Sequence, residues 1–203
     1  RKRPGAGAIR QRVFGARVRL EIESGNTGRH GGPREHGNVL TLAAGGGAEP
    51  RGCDEPPVMD ADRFLAELPD LFEDFPGSEH PRDRRFQPVV EGVTNLATEN
   101  TLALLNLAAS LLEPDEAYVE VGVFHGASLI AAMTGNSGPR FVGIDSFAFR
   151  DASPEGVERN LERFGLPRPE LLVGDVFELV PQGALDGARI GLWYYDAAHD
   201  YES

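Results

Sequence analysis

Cysteine is almost missing from this chain: Cys53 is the single one in 203 residues, which excludes an internal disulfide and makes the cytoplasm the expected compartment. Cys53 lies in Gly/Pro-rich sequence with no base beside it, so it reads as an incidental surface thiol rather than a nucleophile. No apolar run approaches the roughly 20 residues that cross a bilayer, and no signal peptide is visible, so no membrane partner is expected. Basic charge is scarce from residue 58 onward, with 10 basic against 26 acidic residues, net -16. That balance disfavours nucleic acid as a partner, because phosphate binding needs a local basic patch.

Residues 1–57 have the opposite balance, 10 basic against 6 acidic for a net +4, and they hold 12 of the 25 glycines. They lack a sustained helical period and have almost no aromatics on which bases could stack. Only Arg17 to Glu23 alternates as a strand would. Glycine-rich, period-free sequence buries too little apolar area to offset the entropy of ordering. Residues 1–57 are therefore expected to be a disordered extension, or one foreign to the natural coding sequence, since the globular pattern begins at Met59.

Residues 58–88 read as a helical appendage followed by a polar linker. Phe64, Leu65, Leu68, Leu71 and Phe72 recur at helical spacing, and Pro69 breaks the pattern midway. Arg82, Arg84 and Arg85 in the linker could steer an anion, although solvated arginines are the commoner case. Val93 to Leu112 then predicts a long apolar helix, started by Thr94 or Thr98 and closed by Pro114.

The organising stretch follows. Ala117 to Val121 is a short β-type run carrying Glu120; Gly122 and Gly126 make a turn, and Ala127 to Met133 continues as a small-residue helix. In an open parallel sheet such a turn lies at the carboxyl edge, where ligands bind. The glycines allow torsions and close approaches that a side chain forbids, and the first N–H groups of the following helix stay free. The middle glycine of G-x-G-x-x-G is absent, which disfavours a nucleotide-binding oxidoreductase. A second run ends at Asp145, 19 residues after Gly126, near the interval at which an acid meets ribose hydroxyls. A carboxylate suits a vicinal diol because it accepts two hydrogen bonds and donates none. A third run ends at Asp175 and a fourth at Asp196, so four expected strands each deliver an acid to one edge. Ser153 and Pro154 open a helix that stops at Gly165.

Glu120-x-Gly122-x-x-x-Gly126 with these later acids resembles the class I S-adenosylmethionine-dependent methyltransferases. Asp196-Ala-Ala-His199-Asp-Tyr201 is similar to the Asp-Gly-x-His-x-Tyr phrase of small-molecule enzymes grouped with macrocin O-methyltransferase. The resemblance covers about residues 89–201 and implies an α/β fold: a Rossmann-like, doubly wound parallel sheet in three αβα layers, with the first four strands present. Residues 89–203 would then be the cofactor-binding half of a C-terminally truncated domain, its fourth strand left with an unpaired edge.

By the same resemblance, Glu120, Gly122 and Gly126 would hold the methionine part of S-adenosylmethionine, Asp145 the ribose, and Asp175 with Val176 the adenine. Gly-Asp after a strand also makes a good turn, so Asp175 has a structural alternative. Asp196 and His199 would be catalytic, Asp196 also binding Mg²⁺ in the metal-using version, with a small-molecule hydroxyl as acceptor. His199 has a suitable pKa for a general base, and a hydrogen-bonded loop histidine is the alternative. His125, within the glycine turn, is expected to serve the loop, and Tyr194 and Tyr195 to pack the sheet. The rival functions are a truncated or noncatalytic cofactor-binding Rossmann-like domain and the nucleotide-binding oxidoreductase.

Overall fold

The computed structural model describes residues 9–14, 17–23, 37–43 and 59–197. Four parallel strands form the heart of one sheet: β4 (Glu116–Val121), β5 (Arg140–Asp145), β6 (Glu170–Val173) and β7 (Arg189–Tyr195). Three more strands, β1 (Ile9–Phe14), β2 (Arg17–Glu23) and β3 (Gly37–Ala43), extend it in antiparallel fashion, giving the order β1-β2-β3-β7-β4-β5-β6.

The parallel part reads β7-β4-β5-β6, so the chain reverses its direction of travel across the sheet between β4 and β7. Such a reversal is the switch point at which open α/β sheets bind ligands. The expected Rossmann-like parallel sheet is present.

The expectation of disorder over residues 1–57 is corrected for the three described strands. Arg17 to Glu23 matches its alternating pattern; Ile9–Phe14 and Gly37–Ala43 gave too short a signal to register against the surrounding glycines. β3 pairs with β7 from Val39 opposite Tyr195 to Leu42 opposite Leu192, so the edge expected to be bare is occupied. Pairing satisfies backbone N–H and C=O groups that would otherwise line an open strand.

Helices cover both faces unequally. On one face lie α1 (Ala61–Glu67), α2 (Gln87–Gly92), α3 (Glu99–Ser110), α4 (Ala127–Met133) and α5 (Pro154–Arg163), packed over Tyr118, Leu192 and Tyr194. On the other, Val119, Val121, Val142 and Ile144 meet Val176 and Leu179 of the single-turn α6 (Val176–Leu179). Local chemistry sets the boundaries. Pro69 ends α1 at Glu67 and opens a 3₁₀ turn over Leu68–Leu71. Ser153 caps α5 by accepting from the Gly156 N–H at 3.1 Å, with Pro154 in the first turn.

The long helix expected from Val93 begins only at Glu99, because Thr98 is the residue that caps it, accepting from the Thr101 N–H at 3.2 Å. Leu96 is consequently left exposed, and α2 forms in part of the stretch between linker and helix. The linker arginines are not simply solvated: Arg82 donates to the Phe72 carbonyl at 2.8 Å and Arg84 to Glu99 at 2.7 Å, while Arg85 pairs with Asp83 at 2.8 Å.

Buried Glu116 ties this layer to the sheet. Its carboxylate accepts from the Met59 N–H at 3.0 Å and the Glu113 N–H at 2.8 Å. No helix among the described residues is long and apolar enough to cross a membrane.

Candidate functional site

The glycine turn and the end of β7 meet at the switch point. Gly122 has φ +92°, and a Cβ placed there would lie 2.3 Å from the Asp196 carbonyl oxygen. Only glycine lets the two chain segments approach so closely. The Asp196 N–H donates to the Val121 carbonyl at 2.8 Å, and the Gly122 N–H to the Ile144 carbonyl at 2.9 Å, so the ends of β4, β5 and β7 are stitched together. Gly126, with φ +86°, precedes α4, and its nearest side-chain neighbour would be Val157 at 3.0 Å.

Glu120 is fully buried. Its carboxylate accepts from the Ser128 hydroxyl at 2.5 Å and the Tyr118 hydroxyl at 2.7 Å. It therefore lies beneath the glycine turn, facing the α4 layer, rather than projecting from the edge. Desolvation pushes its pKa up to about 8, against the lowering effect of the two hydroxyls and with help from Asp196 and Asp145. Burial likewise pushes the Tyr118 hydroxyl well above its usual range.

Asp145 has a structural task in the loops at the sheet edge. One carboxylate oxygen accepts from the Phe124 N–H at 2.7 Å and the other from the Phe147 N–H at 2.6 Å. Both phenylalanines hold φ near +53°, a torsion that costs a bulky residue energy and persists where its surroundings impose it. Asp145 thus clamps the loop after β4 to the loop after β5, and the rings of Phe124 and Phe149 from the same two loops lie 5.5 Å apart. A carboxylate has about four acceptor positions, so two remain for a ligand.

Asp196, half-buried at the end of β7, accepts from the Tyr194 hydroxyl at 3.0 Å. The same relation recurs on two strands, since Tyr118 donates to Glu120 two residues on, as Tyr194 does to Asp196. Period-two alternation puts each pair on one face of its strand. Tyr118, Ser128 and Tyr194 were not among the expected site residues; that spacing, tyrosine two before a strand-end acid, was the available signal for the tyrosines.

Glu120, Gly122, Gly126, Asp145 and Asp196 are therefore brought together. Asp175 and Val176 follow β6, directly after Gly174, whose N–H donates to the Asp145 carbonyl at 3.0 Å. Asp175 caps α6 by accepting from the Phe177 N–H at 2.9 Å, and Val176 packs against the opposite face of the sheet. His199 lies outside the described residues. His125 is buried in the glycine turn, its carbonyl accepting from Asn160 at 2.9 Å and its Nε2 lying 3.5 Å from Asp151. Among the described residues no group of three His, Cys, Asp or Glu side chains has an arrangement that could hold a metal ion.

No protein-family model matches the chain, and no curated protein matches it. Among solved structures, it is similar to cofactor-bound Rv0187 from MTB, at 21% identity and TM-score 0.39 over 64% of this chain and 56% of that one. It is also similar to coclaurine N-methyltransferase bound to N-methylheliamine and SAH, at 15% identity and TM-score 0.31 over 57% of this chain and 37% of that one. The chain thus spans little more than half of the first structure and less of the second.

Proposed function

We propose that the chain is the cofactor-binding part of an S-adenosylmethionine-dependent methyltransferase that acts on a small-molecule hydroxyl. The observation that carries this reading is the acidic switch point. Glu120, Asp145 and Asp196 converge beside a glycine turn, and the first two are met by hydroxyl and amide donors rather than by guanidinium groups. An edge of that polarity suits a cationic ligand with a ribose diol and repels a pyrophosphate. With the missing middle glycine, it disfavours the oxidoreductase.

S-adenosylmethionine supplies an electrophilic methyl group whose bond to sulfur breaks, the electron pair staying on sulfur, as the acceptor oxygen bonds to carbon. The residues supply position and a path for the acceptor proton. The two remaining acceptor positions of Asp145 take the diol, while its other two hold the loops of Phe124 and Phe147 in place. Gly122 keeps Asp196 against the turn, where its carboxylate, steadied by Tyr194, receives the acceptor proton. His199 follows three residues later and is the second candidate for that proton. Asp175 and Val176, which follow Gly174 where its N–H meets the Asp145 carbonyl, are the adenine contact in this reading.

Calorimetric titration of S-adenosylmethionine and S-adenosylhomocysteine into the full chain, with Asp145→Ala and NAD as controls, tests the reading. Micromolar binding that Asp145→Ala loses, with no NAD binding, is the expected result. A folded sample that binds neither sulfur compound sinks it, and one that binds NAD instead restores the oxidoreductase.

A further inference from the structure

Glu120 is the group at the switch point whose charge the fold does least to accommodate. Its side chain has no contact with water, and among the described residues its hydrogen-bond partners are two neutral hydroxyls, Ser128 from α4 and Tyr118 from β4. The other titratable groups acting on it are Asp145 at the end of β5 and Asp196 at the end of β7, both acids. Tyr194, also from β7, adds its hydroxyl next to Asp196 and Tyr118. No cation reaches Glu120 from any of these elements.

A buried carboxylate facing two further carboxylates must be neutralised, and only a proton or a cationic ligand can do it here. We propose that Glu120 carries a proton while the site is empty and releases it to solvent when a cationic ligand enters, so that ligand binding and proton release are one coupled step. The exchange balances: the carboxylic acid loses H⁺ to water, and the ligand's positive charge takes over its role beside the carboxylate. This rests on the methyltransferase reading for the identity of the cation, whose ammonium and sulfonium groups are the charges in question.

The probe is S-adenosylmethionine, titrated into the full chain in phosphate and in Tris, buffers whose heats of ionisation differ widely. With Glu120 titrating at about 8 in the empty protein, roughly nine-tenths of a proton should leave per ligand bound at pH 7. Apparent affinity should also rise about tenfold from pH 6 to pH 7 and level off above pH 8. Glu120→Gln, an isostere of the protonated acid, should bind with equal heats in both buffers and without that rise.

Should that variant fail to fold, Tyr118→Phe removes one donor to the carboxylate and should move the rise in affinity to higher pH. Binding by the wild type with identical heats in both buffers overturns the coupling and leaves the cofactor reading standing. Equal proton release from wild type and Glu120→Gln overturns the assignment to Glu120. A folded wild type that does not bind at all overturns both readings together.

Discussion

Gly122→Ala probes the contact that makes the switch point. The substitution asks a Cβ to fit 2.3 Å from the Asp196 carbonyl oxygen, 2.6 Å from its carbonyl carbon and 2.9 Å from the Ala197 nitrogen. All three are backbone atoms, so a side-chain rotation cannot relieve the overlap. Alanine at φ +92° costs about 1 kcal/mol more than glycine. Displacing the end of β7 adds about 1–3 kcal/mol of overpacking. Loss of the 2.8 Å bond from the Asp196 N–H to the Val121 carbonyl adds about 1 kcal/mol.

The expected destabilisation is therefore about 3–5 kcal/mol. Gly126→Ala is the matched control: its φ of +86° carries the same torsional cost, but its nearest contact is a Val157 methyl at 3.0 Å, which can shift. It should lose only about 1–2 kcal/mol. Equilibrium urea unfolding of the two variants beside wild type measures both. Equal losses, or a loss below about 1 kcal/mol at Gly122, would refute the claim that close backbone approach is what requires glycine there.

Three further outcomes follow from the same geometry. Glu120 binds its proton more tightly in the folded chain than in the unfolded one, so its contribution is fully present below the ordinary glutamate range and is lost as pH rises through about 8. Urea midpoints should accordingly fall between pH 5 and pH 8, by about 1 kcal/mol per pH unit from this group, and the Glu120→Gln variant should show a flatter profile.

Asp145→Asn keeps one acceptor oxygen where two are used, leaving the Phe124 or Phe147 N–H without its partner. It should lose about 1–2 kcal/mol, with faster hydrogen exchange in both loops; unchanged exchange would show that the clamp is dispensable. Glu116→Gln likewise leaves one of two amide donors, at Met59 or Glu113, facing an amide NH₂ group. A loss of about 1–3 kcal/mol is expected by thermal unfolding, and a neutral result would refute its anchoring role.

Much of the parallel sheet was legible because each of its strands is a short apolar run closed by an acid or a glycine turn. Caps at Ser153 and Thr98 and the break at Pro69 were legible for the same local reason. Three elements were not. β1 and β3 are stabilised by pairing in the sheet rather than by any strong propensity of their own, and glycine-rich flanks hide them. α2 is only six residues long, too short for a period to show. The positions of the candidate site residues near strand ends were legible, but the direction of each side chain was not. Glu120 shares its face with Tyr118, and whether that face is wet or covered depends on where α3 and α4 pack.

The sequence by itself determined the turn at Gly122 and Gly126, the acids at the ends of four parallel strands, and the caps that start the helices. These signals act through torsions and hydrogen bonds among residues a few positions apart, so they can be read from neighbours alone. The tertiary structure decided the strand order that puts Asp196 against Gly122, the pairing of β3 along the edge of β7, and the burial that leaves Glu120 between two hydroxyls and two acids. Those depend on which distant segments meet and on how much water they exclude, and it is exclusion of water that turns an ordinary strand-end glutamate into a group that holds its proton near neutrality.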